Sequence, residues 1–374
     1  MRARELGIRI GRMEPGPLNA ITDVAGVRVG HTTLIAGDGP LRPGKGPMRT
    51  GVTVVIPHDG DIWTEPVFAG AHRLNGNGEL TGLEWIREAG MLAGAIGITN
   101  THSVGVVHDA IIEAAVRAHA MSDAVWALPV AGETYDGALN DINGFHVRPE
   151  HVHAALAAAS DGSVDEGNVG GGTGMICHEF KGGIGTSSRL AGDWTVGVLV
   201  QANYGTRELL RIDGVPVGAA ISRQEVPSPW DQVDALSTRA GAEGGSIIGI
   251  VATDAPLLPH QCTRLALRVG MGVARMGSYA SHGSGDLFCA FATGNRDLSQ
   301  YAGEDDPRAT VALRMVPDAQ INPLLEAVAE ATEEAIVNAL LAAETMVGRD
   351  GITAHALDHD RLQTVMREHG RLVS

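Results

Sequence analysis

The chain changes character abruptly at Ser246. The residues before it, "AEGG", are polar and glycine-rich like a loop, whereas those after it, "IIGIV", are apolar and branched like a buried strand. One interpretation is that Ser246 is a small residue at the start of a strand. The other is chemical: its hydroxyl attacks the carbonyl of Gly245, an N-to-O acyl shift gives an ester, and hydrolysis cuts the chain. Glycine suits the position before such a cut because it has no Cβ to obstruct the attack.

The cut would leave Ser246 with a free α-amine. An α-amine has a pKa of roughly 7.7–8.0, so that it can act at neutral pH as the base for the hydroxyl of its own residue. N-terminal nucleophiles are activated in this way. The segment 222–245 has no sustained apolar period and contains Pro227, Pro229 and a Gly-Gly pair. This composition predicts a linker that lets the new chain ends move apart.

Polar side chains also stand where other predicted strands begin or end. Ser284 and Asp286 are two residues apart in "SHGSGDLF", so on an extended strand they point to one face and form a supporting pair for a nucleophile. In "GETYDG", the carboxylate of Glu133 could bind a substrate ammonium, and the phenol of Tyr135 could donate to an oxyanion. The amide of Asn203, at the end of "VQAN", is another candidate oxyanion donor. Each pattern alone also fits an ordinary turn.

Two glycine tracts and one histidine pair invite other interpretations. "GNVGGGTGM" and "FKGGIGTSS" look like phosphate-binding loops, but neither contains G-x-x-x-x-G-K-[ST], and we interpret both as tight packing turns. His355 and His359 have i, i+4 spacing but lack an HExxH pattern. We therefore expect no metal site and no cofactor.

Composition restricts the partners. The chain of 374 residues has a net charge of −16 and no basic run, which argues against nucleic acid and against an anionic membrane surface. It has no apolar run near the ~20 residues that a membrane helix needs. Three scattered cysteines and the absence of a visible signal peptide predict a cytoplasmic location. These features leave a small molecule as the expected partner.

The apolar patterns predict an α/β protein. Several strands look buried on both faces and the helices are strongly apolar, which favours two sheets packed on each other with helices outside. We expect one domain over 1–374. The predicted strands span 24–34, 52–57, 94–100, 124–137, 194–203, 246–255 and 284–295; a hairpin spans 209–218; and the helices span 83–92, 104–121, 148–160, 259–276 and 321–348.

Many blocks, in order along nearly the whole chain, resemble one family. The chain is similar to the L-aminopeptidase D-esterase/D-amidase and the β-peptidyl aminopeptidases, which are self-processing N-terminal-serine hydrolases. The blocks that carry the resemblance are "NAITDVAGVRVGH", "NGNGELTG", "TNTHSVG", "GETYDGALNDING", "GNVGGGTGM", "FKGGIGTSSR", "GGSIIGIVATDAPL" and "GSGDLFCAFATGN".

The resemblance implies a fold, a cut and a set of roles. The fold would be a four-layer αββα sandwich similar to the N-terminal-nucleophile hydrolases, with autocleavage into 1–245 and 246–374. The enzyme would release N-terminal amino acids from a small peptide, an amino-acid amide or an ester, and it would form a homo-oligomer, a tetramer of two-chain units. The implied roles are nucleophile for Ser246, supporting pair for Ser284 and Asp286, oxyanion stabilisers for Asn203 and Tyr135, and amine anchor for Glu133.

Rival interpretations remain at this point. An acyltransferase of similar fold would move an acetyl group between amines, but such enzymes are expected to have threonine at the cut, and Ser246 argues against this. An uncut, non-catalytic protein could bind small cationic ligands through acidic loops. A dehydrogenase is disfavoured because no glycine fingerprint follows a strand and opens a helix with an acid downstream.

Overall fold

The computed structural model describes residues 1–120, 122, 125–236, 245–296, 298 and 308–372. The helices are α1 (Leu83–Ala89), α2 (Val104–Ala118), α3 (Pro149–Ala158), α4 (Val217–Ala220), α5 (Pro229–Leu236), α6 (Pro259–Arg275), α7 (Asn322–Ala342) and α8 (His359–Glu368). The strands are β1 (Arg28–Ala36), β2 (Met48–Ile56), β3 (Val67–Gly76), β4 (Met91–Leu92), β5 (Ile96–Asn100), β6 (Val130–Thr134), β7 (Ile176–Cys177), β8 (Phe180–Lys181), β9 (Gly183–Ala191), β10 (Trp194–Asn203), β11 (Ser246–Thr253), β12 (Gly285–Ala292), β13 (Met346–Val347) and β14 (Thr353–Ala354).

Two sheets face each other between two layers of helices. One sheet has the order β1-β2-β5-β6 and the other has the order β4-β3-β12-β11-β10-β9. Helices α2 and α3 pack on the first sheet, and α6 and α7 pack on the second. Apolar side chains fill the space between the sheets, among them Ile98 and Val130 from the first and Leu199, Ile248 and Ile250 from the second. The predicted four-layer αββα sandwich is confirmed.

Strand β11 lies inside the second sheet and is buried over its whole length. Ile248 and Ile250 point into the core between the sheets, whereas Ile247 and Val251 point towards the helices. A strand covered on both faces must be apolar in continuous sequence, which explains the run that follows Ser246.

The element boundaries nearest the candidate residues agree with the sequence. Strand β10 ends at Asn203 and strand β11 begins at Ser246, as predicted. Helices α2, α3, α6 and α7 also lie within their predicted ranges. The predicted start of a strand at 124 and the predicted helix end at 121 lie outside the described residues.

Two long strands of the larger sheet, β3 and β9, and the two-residue strand β4 are not among the predicted strands. Strand β3 pairs antiparallel with β12, but only its first half is buried, so its sequence lacks a strand period. The tract "FKGGIGTSS" lies in β8 at 180–181 and in β9 at 183–188, so its interpretation as packing turns is wrong for these residues. Its glycines serve a close approach of α7: a Cβ on Gly185 would lie 2.7 Å from the main-chain nitrogen of Ala339.

Three smaller predictions need correction. The helix predicted over 83–92 ends at Ala89 because Gly90 adopts φ 71°, and Leu92 lies in β4. The predicted linker 222–245 contains α5, and residues 237–244 lie outside the described residues. The predicted hairpin has its tight turn, with Gly214 at φ 76°, but Ile212 and Val215 form a single bridge and a helix follows.

In the part of the chain that is described, no helix has both the length and the apolar character needed to cross a membrane.

Candidate active site

Four of the candidate residues lie together at one end of the larger sheet, where β10 ends and β11 and β12 begin. Strand β10 runs antiparallel to β11 and pairs Asn203 with Ser246, while β12 runs parallel to β11 and pairs Gly285 with Ser246. The Oγ of Ser246 accepts the main-chain N–H of Gly285 at 3.1 Å. Ser246 is only 6% exposed. The register of the sheet therefore places the hydroxyl of Ser246 between Asn203, at the end of β10, and residues 284–286.

The amide of Asn203 is held in one orientation. Its Oδ1 accepts the main-chain N–H of Ile176 at 2.8 Å, and its Nδ2 donates to the main-chain carbonyl of Tyr135 at 3.1 Å. An amide nitrogen carries two hydrogens, so one N–H is left over after the bond to Tyr135. This donor lies in the strand position next to Ser246, where it suits an oxyanion that develops beside the hydroxyl.

Ser284 and Asp286 form the pair that the spacing predicted. The Oγ of Ser284 donates to Oδ1 of Asp286 at 2.6 Å, a length typical of a bond to a charged acceptor. Burial raises the pKa of Asp286 to about 6, and the bonds from the Ser284 hydroxyl and the Ile247 N–H oppose that shift. At neutral pH the carboxylate is therefore charged and ready to orient the hydroxyl.

Glu133 presents a buried carboxylate at the end of β6. Its Oε1 accepts the main-chain N–H of Glu79 at 2.9 Å, and its Oε2 accepts the hydroxyl of Thr101. Burial raises the pKa of Glu133, and these two hydrogen bonds oppose the shift. A buried carboxylate with its geometry fixed in this way suits a substrate ammonium, whose charge would stabilise the ionised form.

The main chain at Gly78 packs against both Glu133 and Gly285. A Cβ on Gly78 would lie 3.1 Å from Oε1 of Glu133 and 3.1 Å from the Cα of Gly285. Gly285 in turn donates its N–H to Ser246. The main chain of Gly78 thus lies between the carboxylate of Glu133 and Gly285, whose N–H binds the hydroxyl of Ser246.

Tyr135 contacts Asn203 through its main chain. Its carbonyl is the acceptor for Asn203, as described above. The side chain is 47% exposed and its ring lies beside Gly137. Burial raises the pKa of the phenol, which keeps it in the protonated, donating form. The suggested oxyanion role of the phenol stays a prediction.

Gly245 packs too tightly for any side chain. A Cβ at this position would lie 2.5 Å from the Cα of Tyr204 and 2.7 Å from the main-chain oxygen of Asn203. Next to it opens a cavity of about 210 Å³, whose lining includes Gly245, Asn203 and Ser284. Only glycine can bring the carbonyl of residue 245 to this end of the sheet.

The sequence analysis assigned no role to the segment around "NGNGEL" or to Thr101. The main-chain N–H of Asn77 donates to the carbonyl of Ser284 at 3.2 Å, and its side chain donates to the carbonyl of Gly283 at 2.8 Å. Gly78 and Thr101 contact Glu133 as described above. Both segments stood among the blocks that carried the family resemblance, but polar residues in loops give no sign of which main-chain groups they bind.

No group of three or more histidine, cysteine, aspartate or glutamate side chains that could hold a metal ion occurs within the described ranges. His359 instead bonds through Nε2 to the carbonyl of Leu341 at 2.8 Å.

The four-layer αββα sandwich has the fold of the N-terminal-nucleophile hydrolases. A β-aminopeptidase from Burkholderia sp. has a similar structure, with a TM-score of 0.90, 53% sequence identity and 99% of each chain covered. The L-aminopeptidase D-Ala-esterase/amidase from Ochrobactrum anthropi, a prototype of the serine aminopeptidases, gives a TM-score of 0.89 and 44% identity over 100% of this chain and 99% of the other.

Sequence comparison gives the family. The model of peptidase family S58 matches residues 19–354. The β-peptidyl aminopeptidase BapA of Sphingosinicella microcystinivorans is 47% identical over 379 residues, covering 100% of this chain and 93% of the relative. BapA of Sphingosinicella xenopeptidilytica is 45% identical, covering 98% and 91%. The chain belongs to peptidase family S58, and it is a serine aminopeptidase.

The buried carboxylate of Asp286 predicts a pH-dependent change in stability. Its pKa is about 6 in the folded chain and ~3.9 in an unfolded one, so its ionisation opposes folding increasingly between these values. Asp286→Asn removes that cost. In a Ser246→Ala parent, which lacks the candidate hydroxyl, we expect Asp286→Asn to raise the thermal midpoint by roughly 2–4 °C more at about pH 7.5 than at about pH 4.5.

Thermal unfolding followed by circular dichroism would measure both midpoints. Asp193→Asn, at an exposed position, is the matched control and should show the same small effect at both pH values. An Asp286→Asn effect that does not change with pH would contradict this account of the buried carboxylate.

Proposed function

We propose that this serine aminopeptidase produces its own nucleophile by cutting the Gly245–Ser246 bond into chains 1–245 and 246–374. The observation that carries the proposal is the position of Ser246. It is the first residue of a buried central strand, it is paired in register with Asn203, and it follows a glycine whose tight packing admits no side chain. A serine in that position has its attacking oxygen and an oxyanion donor at the same strand end.

The proposed cut has two stages, an N-to-O acyl shift and the hydrolysis of the resulting ester. The Oγ of Ser246 attacks the carbonyl carbon of Gly245 and its proton passes through Ser284 towards Asp286, while the free N–H of Asn203 stabilises the oxyanion. The C–N bond then breaks and the departing nitrogen of Ser246 takes up a proton, which leaves an ester. Water hydrolyses the ester, giving the carboxylate of Gly245 and a serine with a free α-amine.

The same groups then act on a substrate. Glu133 binds the ammonium of a small peptide, an amino-acid amide or an ester, and its buried carboxylate fixes the distance from that ammonium to Ser246. The Oγ of Ser246 attacks the first acyl carbon and the α-amine of the same residue accepts the proton. Asn203, assisted by the phenol of Tyr135, stabilises the oxyanion. The amine or alcohol leaves with that proton, and water releases the amino acid from the acyl-enzyme.

Two further expectations concern the assembled enzyme. We propose a homo-oligomer, a tetramer of two-chain units; support comes from the exposed apolar side chains of Val311, Leu313 and Met315, which lie in one segment without regular secondary structure. We also propose that the enzyme acts in the cytoplasm. Support comes from the three cysteines of the sequence, which are all free and buried.

Intact mass under denaturing conditions tests the cut. We expect wild-type protein to give two chains that meet between Gly245 and Ser246, and we expect Ser246→Ala to stay whole and inactive, because only the hydroxyl can attack. Ser284→Ala is a useful comparison, since it leaves the nucleophile in place and should cut more slowly. A single intact wild-type chain would contradict self-processing and favour an uncut ligand-binding protein.

Glu133→Gln tests the amine anchor. The amide keeps the size of the carboxylate but loses its charge, so we expect KM for amino-acid p-nitroanilides to rise roughly 10–100-fold, corresponding to about 1.5–3 kcal/mol for a hydrogen bond to a charged group. Steady-state kinetics on α- and β-amino-acid p-nitroanilides would measure it. Glu84→Gln, on the exposed side of α1, is the control and should keep the wild-type KM. An unchanged KM in Glu133→Gln would place the ammonium elsewhere.

A further inference from the structure

Lys181 is a fully buried lysine that the mechanism above does not use. It is 0% exposed, and its ammonium donates to three main-chain carbonyls: those of Gly182 at 2.7 Å, Met175 at 2.8 Å and Gly172 at 3.3 Å. Burial lowers the pKa of Lys181 to about 7. Placing an ammonium where water cannot reach it is costly, and its three donors are matched to three acceptors.

One of these three carbonyls belongs to a peptide group that also binds Asn203, the candidate oxyanion donor. The carbonyl of Met175 and the N–H of Ile176 belong to the same peptide group. Lys181 donates to that carbonyl at 2.8 Å, and the N–H on the other side of the group donates to Oδ1 of Asn203 at 2.8 Å. A donor on the carbonyl polarises the peptide and strengthens the bond that its N–H makes. The ammonium is therefore one peptide group away from the amide of Asn203.

The glycine after Lys181 makes this arrangement possible. A Cβ on Gly182 would lie 2.5 Å from the main-chain oxygen of Ala202, the residue before Asn203, and 2.9 Å from the nitrogen of Cys177. The N–H of Gly182 also donates to the carbonyl of Met175 at 2.9 Å. The "FKGG" tract, which does not form a phosphate loop, thus packs Lys181 and Gly182 against the end of β10.

We propose that Lys181 is a positioning residue for the oxyanion site. It fixes the Met175–Ile176 peptide, and that peptide holds the side-chain amide of Asn203 so that its free N–H faces the position next to Ser246. The inference rests on the proposed function of Asn203. It also extends that function, because the orientation of the donor depends on a buried hydrogen-bond donor outside the cavity.

Kinetics of mature enzyme variants test the proposal. Lys181→Met keeps the length of the side chain without a donor, and Lys181→Gln keeps an amide donor on a shorter side chain. An oxyanion exists only in the transition state, so we expect Lys181→Met to lower kcat roughly 10–100-fold while KM stays within about twofold, less than the ~10²–10³-fold loss on removing an oxyanion donor outright. Lys181→Gln should fall between wild type and Lys181→Met.

A matched control separates positioning from a general loss of stability. Gln261 is also buried and donates to a main-chain carbonyl, that of Val316 at 2.8 Å, but it stands in α6 beyond the far end of β11. Gln261→Met should lower the thermal midpoint and leave kcat unchanged. The proposal is overturned if Gln261→Met loses kcat to the same degree as Lys181→Met, or if Lys181→Met raises KM and leaves kcat unchanged.

If Lys181→Met does not mature, the rate at which the folded precursor of Lys181→Gln cuts itself gives the same information. A slower cut with an unchanged thermal midpoint supports positioning, and a wild-type rate contradicts it. Failure of the underlying assignment would look different, since Asn203→Ala would then keep the wild-type kcat whatever stands at position 181.

Discussion

The register of three strands is the constraint on which the rest of this structure depends. Strand β11 is covered on both faces, and a slip of its pairing by one residue would exchange the side chains that face the two cores. That register places Ser246 opposite Asn203 and Gly285. The apolar contacts that stabilise the sandwich therefore also place a hydroxyl beside an amide donor, whose orientation is then set by its own hydrogen bonds.

Close backbone approaches complete the site. Gly78 lets the main chain pass between Glu133 and Gly285, Gly245 brings a carbonyl to the strand end, and Gly182 packs beside the residue before Asn203. At each of these positions a Cβ would meet its neighbours at 3.1 Å or less. Ser246, Asn203 and Glu133 each consequently have a main-chain partner, and such preorganisation is what stabilisation of a transition-state charge requires.

The sequence predicted those elements and contacts whose pattern lies within a short stretch of the chain. An apolar run covered on both faces marks β11, so the start of the strand at Ser246 was predictable, and a two-residue spacing was enough to join Ser284 to Asp286. Strand β3 was missed because half of it is exposed, and β9 because its glycines look like turns. The contacts of Thr101, Asn77 and Lys181 could not be predicted, since their partners lie far along the chain or are main-chain groups that the sequence does not single out.

The central claim is that Ser246 carries the acyl group of the substrate once its amine is free. The most direct measurement is to quench the mature enzyme with acid during turnover of an amino-acid ester and to map the covalent product by mass spectrometry. The account predicts an aminoacyl group on the peptide whose first residue is Ser246, and none on any peptide of Ser246→Ala. An acyl group on a different residue, or turnover with no acylated peptide, would contradict it.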